Sequence, residues 1–357
     1  MNAKRIAPTW IRKSRPLAAA VLMLAAMSAS CARQVQPTQH NAPAEAGERE
    51  ARFKERLEGL VQSTGGELGF AMRVIEGGKL VSIRGMESFP MASVYKFPIA
   101  LAMLAEVERG KADLARFVSF GRDLSCGGPM METLRGDPVS STLGDLIDWM
   151  VVTSDNTACN VVLRELGGPA AATANLKRLG IQGIRVDRNE LDLARDELRI
   201  AHPERVPDNA SAEQLGEVEN AMTPEDWRRS GDAFAKDPRD TATPEAMLEL
   251  LVLFHEGKAL GPGMTAWLRK RMEKAKPIRI GLGVPEGTQV LHKTGTGPQL
   301  FNDVGIVTLP DGRHLAMVIF IRRAHNATME SASRVIGAVA RAAWEEYAVH
   351  GSVARWR

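Results

Sequence analysis

The chain has 357 residues, 44% of them hydrophobic and 25% charged, with a formal net charge of +3. That composition fits a folded globular protein with length for one large domain or two intimately packed ones. Five of the 46 basic residues fall within the first fifteen positions; without residues 1–31, 41 basic residues face 43 acidic ones. No clustered basic face remains, which argues against a nucleic-acid partner.

The basic start (Lys4, Arg5, Arg12, Lys13, Arg15) runs into an apolar stretch, Leu17 to Ala29, too short to span a membrane. With its small-residue exit it reads as an export signal over residues 1–31, and a periplasmic location is expected. Small residues before Cys31 resemble a lipoprotein processing site, although Ser28 stands where leucine is usual. Lipid attachment at Cys31 would be the chain's one membrane contact. Ordinary cleavage near Ala29 or Ala32 is the competing reading. Residues 32–47 are polar and contain proline, as a tether would.

From Glu48 to Val61 the spacing of Phe53, Leu57, Leu60 and Val61 predicts a helix that stops at Gly65-Gly66. Leu68 to Ile75 reads as a strand and Leu80 to Arg84 as its hairpin partner across Gly77-Gly78. A helix follows from Ser93 and breaks near Gly110. Helical patterns dominate to about Trp267, among them Leu143–Val152, a second from about Ala158 to Leu166, and one begun by Thr243-Pro244-Glu245. Strands return at Gln289–Lys293, Val304–Leu309 and Leu315–Ile321, and a last helix covers about Met329 to Val349.

This order predicts an α/β (α+β) protein: a mainly antiparallel sheet built from both chain ends, flanked by helices, with an all-helical domain inserted. The expected parts are 48–112 with 268–350 for the sheet domain and 113–267 for the helical one.

Three short stretches carry chemistry. In Ser93-Val94-Tyr95-Lys96 the hydroxyl and amine lie one helical turn apart, on one face. A serine becomes a nucleophile when a neighbour takes its proton, and a lysine of lowered pKa can do so. Free N–H groups at the helix start suit an oxyanion. Ser154-Asp155-Asn156 sits between two helices: Ser154 can relay a proton, Asn156 can bind an amide carbonyl, and Asp155 can brace the loop. Taken alone, that tripeptide reads first as a helix-capping turn. Lys293-Thr294-Gly295-Thr296 follows an apolar strand and suits a substrate carboxylate, with glycine admitting substrate to the backbone. No C-x-x-C or H-E-x-x-H occurs, so neither metal nor cofactor is expected. Cys126 and Cys159 can pair in an oxidising compartment, but the placing of Cys159 on an apolar helix face favours two unpaired core residues.

S-x-x-K, S-D-N and K-T-G in this order resemble the signature of serine β-lactamases and penicillin-binding proteins. From about Glu48 to Tyr347 the chain resembles a class A β-lactamase. Leu166-Gly167-Gly168 and Asp187-Arg188-Asn189-Glu190-Leu191 support class A, the latter resembling the start of the family's Ω-loop and Arg239-Asp240-Thr241-Ala242 its end. His292-Lys293-Thr294-Gly295 and Asn302-Asp303-Val304-Gly305-Ile306 resemble the extended-spectrum branch. The resemblance implies hydrolysis of a small-molecule β-lactam by a monomer. Ser93 would be acylated, with Lys96 and Glu190 as rival acylation bases. Ser154 would protonate the leaving nitrogen, and Glu190 would activate the deacylating water. Asn156 would hold the substrate's side-chain amide, and Lys293, Thr294 and Thr296 its carboxylate. The N–H groups of Ser93 and Thr296 would form the oxyanion hole, with Gly295 in the strand between.

The chain departs from that pattern in two places. Where asparagine often follows the glutamate by four residues, Ala194 stands. The segment from Arg188 to Asp240, usually some sixteen residues, is enlarged to 53 positions, charged and partly helical, with a capped start at Thr223-Pro224-Glu225-Asp226. Arg188 and Asp240 are expected to pair across its neck. For the arginine that supports the substrate carboxylate, Arg279 is the first choice and Arg322, Arg323 and Arg334 the alternatives. A D-alanyl-D-alanine peptidase shares the acylating parts but lacks the Ω-loop base. A penicillin-binding module that acylates and stalls is the third reading.

Overall fold

The computed structural model describes residues 42–133, 138–276 and 278–348. The export signal, Cys31 and positions 32–41 of the tether lie outside them. Helix α1 (Ala42–Gln62) begins before Glu48, so positions 42–47 are helical where a tether was expected. Alanine and glutamate are strong helix formers, and they extend the helix that Phe53 and Leu57 anchor in the core.

Strands β1 (Glu67–Val74) and β2 (Val81–Ile83) form the expected hairpin, and the two-residue β3 (Phe89–Pro90) follows. A 3₁₀ turn, Ala92–Tyr95, leads into α2 (Lys96–Glu108). The middle of the chain supplies β4 (Phe117–Phe120), α3 (Met130–Thr133), β5 (Val139–Thr142), α4 (Leu143–Val152), α5 (Asn156–Leu166) and α6 (Pro169–Arg178). The enlarged loop holds α7 (Glu190–Ala201), α8 (Ala212–Asn220) and α9 (Pro224–Phe234). Then come β6 (Thr241–Ala242), α10 (Pro244–His255), α11 (Pro262–Met272), β7 (Val290–Gly297), β8 (Leu300–Thr308), β9 (His314–Arg322) and α12 (Met329–Ala348). Between the two ends, the regular elements among the described residues are helices apart from the paired strands β4–β5 and the short β6, which pairs with β3. No helix among the described residues is long and apolar enough to cross a membrane.

The main sheet has the order β2-β1-β9-β8-β7, with every pairing antiparallel. Its middle strand explains the layering. Successive strand residues face opposite sides, and both sides of β9 are apolar. Ala316, Val318 and Phe320 join a core with α2, α4, α5 and α10; Leu315, Met317, Ile319 and Ile321 join a second core with α1 and α12. Each of these side chains larger than Ala316 contributes about 1.5–3 kcal/mol on full burial, and Ile319→Ala would cost roughly 2–5 kcal/mol. Strand β7, carrying Lys293 to Thr296, lies at the free edge and faces the turn of Ser93.

The enlarged loop has its own small core, in which Leu191, Leu198, Val206, Ala210, Leu215 and Val218 are buried together. Its helices start on local signals. Ser211 with Gln214 and Thr223 with Asp226 form capping boxes, so the insertion is ordered by its own sequence.

Candidate active site

Two contacts, one from β7 and one from β8, bring the sheet edge against the turn of Ser93. A Cβ on Gly295 would lie 2.4 Å from the Met91 carbonyl oxygen and 3.0 Å from the Val94 nitrogen, so only glycine permits this approach. The buried Asn302 amide donates to the carbonyls of Pro90 (2.9 Å) and Met91 (3.0 Å). Met91 N–H in turn donates to the Asp240 carbonyl at 3.0 Å. So fastened, the chain accepts φ +45° at Ala92, immediately before Ser93. Ser154 is also left-handed, at φ +61°. Such residues cost on the order of 1–3 kcal/mol each and persist where surrounding contacts over-determine them.

Lys96 is fully buried at the hub. Its Nζ donates to Asn156 Oδ1 (2.6 Å), the Ser154 carbonyl (2.7 Å) and Ser93 Oγ (3.1 Å), and reaches Ser154 Oγ at 3.5 Å. Glu190 Oε1 lies 2.9 Å from the same nitrogen, but off the line of an aligned hydrogen bond: a charge contact, since three N–H bonds cannot serve five oxygens. Glu190 opens α7, where Asn189 caps the helix by accepting from Asp192 N–H. The Glu190 N–H donates to Asn160 Oδ1 at 2.8 Å, and the Asn160 amide donates to the Leu124 carbonyl. Asp155 braces the Ser154 loop, accepting from Met130 N–H and Ala158 N–H, both at 2.8 Å.

Lys293 is also buried; its Nζ donates to Ser154 Oγ (2.8 Å) and the Thr294 carbonyl (2.9 Å). Burial, with the charge of Lys96, holds its pKa well below the ordinary lysine value. Ser154 Oγ therefore stands between two amines. Of the four arginines considered, Arg279 reaches this region: Nη1 donates to the carbonyls of Gly295 and Asn302, and Nη2 to Thr296 Oγ1 at 2.6 Å. Arg322 and Arg323 are taken by Glu67, and Arg334 by Glu330. The segment bearing Arg279 is held by a buried pair, His292 and Asp303. Asp303 accepts from Ile280 N–H at 2.9 Å and lies 3.0 Å from His292 Nδ1, while His292 Nε2 meets the Ala275 carbonyl at 3.1 Å. Burial alone would lower the His292 pKa, but the Asp303 carboxylate outweighs it and raises the imidazole above its ordinary value.

The enlarged loop closes on itself at its neck. Arg188 Nε donates to Asp240 Oδ2 at 2.6 Å, both side chains being buried. A cavity of about 480 Å³, lined by Ser93, Asn156, Glu190 and Thr296, extends past Ala194 to Trp227 and Phe234 on α9. Glu197 also lines it, and its pKa is pushed up to about 8 by burial, then by the charges of Glu219 and Glu190. Cys126 and Cys159 are free thiols, Cys159 buried in the core.

All nine predicted site residues thus converge on the junction of α2, the α4–α5 loop, α7 and β7. Sequence reasoning missed Asn160, Asn302 and the His292–Asp303 pair, whose hydrogen-bond partners are remote in the chain. His292, Asn302 and Asp303 stand inside the family-like motifs of the sequence and lack there only a visible partner.

A sequence model of the beta-lactamase enzyme family matches residues 52–347. The extended-spectrum beta-lactamase PER-1 of Pseudomonas aeruginosa is 27% identical over 82% of this chain and 86% of its own length. The beta-lactamase of Streptomyces albus G is 31% identical over 81% of each chain. The carbapenem-hydrolyzing beta-lactamase KPC of Klebsiella oxytoca is 30% identical over 82% of this chain and 88% of its own. Among solved structures, an ancestral Gram-negative class A beta-lactamase superposes with a TM-score of 0.68 at 29% identity, covering 83% of this chain and all of that one. The site and these likenesses agree: the chain belongs to the beta-lactamase enzyme family, as a class A serine β-lactamase.

Proposed function

We propose that the protein opens β-lactam rings by acyl transfer to Ser93 and then to water. The observation that carries the reading is the placing of Lys96 Nζ, within 3.5 Å of Ser93 Oγ, Ser154 Oγ and Glu190 Oε1. One proton path thereby joins the nucleophile, the leaving nitrogen and a carboxylate. Ser93 Oγ attacks the lactam carbonyl and gives its proton to Lys96 or Glu190. The N–H groups of Ser93 and Thr296 hold the oxyanion. The C–N bond breaks, and Ser154 passes a proton to the nitrogen. Lys293, Thr294, Thr296 and Arg279 bind the substrate carboxylate, and Asn156 its side-chain amide. Glu190 then takes the proton of the water that cleaves the ester.

Glu190 in the site favours the hydrolase over the peptidase reading. The basic-then-apolar start supports export to the periplasm, and Cys31 supports lipid attachment there. The sheet, drawn from both chain ends, supports the division into a sheet domain (48–112 with 268–350) and a helical domain (113–267). Purified protein mixed with a chromogenic cephalosporin should turn over many equivalents, with a Ser93 adduct trapped on rapid quench. A stoichiometric burst without turnover would give the stalled-module reading instead.

A further inference from the structure

Three side chains far apart in sequence meet at the end of the sheet where β1 turns towards β2 and β9 begins. Glu76 lies in the turn after β1, His255 ends α10 and His314 opens β9. His314 Nδ1 lies 2.7 Å from Glu76 Oε1, and His314 N–H donates to Glu76 Oε2 at 2.9 Å. Ile75 N–H closes the corner on the His314 carbonyl at 2.8 Å. The rings of His255 and His314 face each other with centroids 4.2 Å apart and planes 50° apart. One nitrogen of each ring and one Glu76 oxygen all lie within 4.8 Å of one another. Both histidines are half-buried and Glu76 is exposed, so the corner is reachable from solvent.

We propose that Glu76, His255 and His314 form a binding site for a divalent d-block cation of the zinc class, clipping α10 to the β1–β2 turn and the start of β9. A tetrahedral ion with bonds of about 2.0–2.1 Å needs its donors roughly 3.3 Å apart. Small rotations about side-chain bonds close the remaining distance. Two imidazoles and one carboxylate select zinc, nickel or copper over calcium and magnesium, which take oxygen sets. The fourth position is left to water. No short motif announces the site, because its members stand at positions 76, 255 and 314.

One neighbour opposes the ion. Arg269 Nη1 lies 3.1 Å from His255 Nδ1, so metal binding must turn that guanidinium away and bear its charge. Glu256, the exposed acid next to His255, is held by Lys258 at 2.7 Å. The site thus carries a built-in competitor, and removing it should tighten binding while removing any donor weakens it.

The test is isothermal titration of the metal-stripped protein with zinc chloride, paired with thermal melts in zinc and in chelator. The wild type should bind one equivalent saturably, and its melting temperature should rise with zinc by several degrees but not with magnesium. Glu76→Gln and His314→Ala should weaken binding at least tenfold. Arg269→Gln should tighten it about tenfold, a gain that no unfolded variant would mimic. Zinc should leave β-lactam turnover unchanged, since none of these residues touches the Ser93 site. Absence of a saturable single site in the wild type, binding indifferent to Glu76→Gln and His314→Ala, or weaker binding by Arg269→Gln would each overturn the proposal.

Discussion

Arg188 and Asp240 stand 52 positions apart and meet as a buried ion pair, Nε to Oδ2 at 2.6 Å. Arg188 also reaches Asp196 at 2.8 Å and Asp237 at 3.1 Å, and Asp240 accepts from the Asp187 and Arg188 N–H groups. Breaking one partner of a buried pair strands the other, at roughly 3–5 kcal/mol. Arg188→Ala should therefore lower the melting temperature well beyond a surface substitution, and activity should fall with it because Glu190 is two residues on. A thermal melt unchanged within a degree would show that the neck is not needed.

Ser93→Ala should abolish covalent labelling by penicillin, since no second S-x-x-K exists in the chain. Intact mass of the folded variant checks this, and a label on any other residue would overturn the assignment.

Glu190→Gln should still acylate and then accumulate a penicilloyl adduct, with deacylation slowed about 10²–10⁴-fold. Ala194, which lines the cavity, offers no side-chain amide to hold the water. Ala194→Asn should accordingly speed release in single-turnover experiments. Equal release rates for wild type and Glu190→Gln would remove Glu190 from the role of base.

Lys293→Ala should cut kcat/KM for carboxylate-bearing substrates by on the order of 1.5–3 kcal/mol, the range for a hydrogen bond to a charged group. Arg279→Ala should act through the same carboxylate, so the double variant should lose less than the two effects added. Full additivity would separate their roles.

Glu197 gives a pH signature. Its folded pKa of about 8 stands above the ordinary carboxylate value, so the folded state holds a proton that the unfolded state releases. Stability from this group is highest below about pH 4.5 and falls as pH rises towards 8. Glu197→Gln removes the penalty: its melting temperature should exceed wild type at pH 8 by several degrees and match it near pH 4.5. A constant difference at both pH values would refute this.

Chemistry written in neighbouring residues was legible before any fold. The one-turn spacing of Ser93 and Lys96, the proline-headed start of α10 and the two-sided apolar run of β9 all read directly from local sequence. What was hidden depends on partners remote in the chain. Asn302 looks like any polar strand residue until its amide is seen holding Pro90 and Met91, over 200 positions away. Arg279 was one choice among four because only tertiary contact separates it from arginines paired on the surface. Strands β4 and β5 escaped because they are short and half-polar, with Phe117 exposed. Alternation that weak carries little signal against the strong helices around it.

The neck of the enlarged loop has a consequence for grafting foreign sequence into the protein. Asp187 and Asp240 grip each other reciprocally: Asp187 N–H donates to Asp240 Oδ1 at 2.7 Å, and Asp240 N–H to Asp187 Oδ2 at 2.9 Å. The two ends are thus fixed whatever lies between, and doubling the length of a flexible loop adds only about 0.6 kcal/mol to its closure. The turn at Asp208 and Asn209 is exposed, between α7 and α8. A guest peptide or small domain spliced there would be displayed on a host whose catalytic turn is fastened elsewhere. Survival of bacteria on a β-lactam would then report whether the guest folds or drags its host into aggregation.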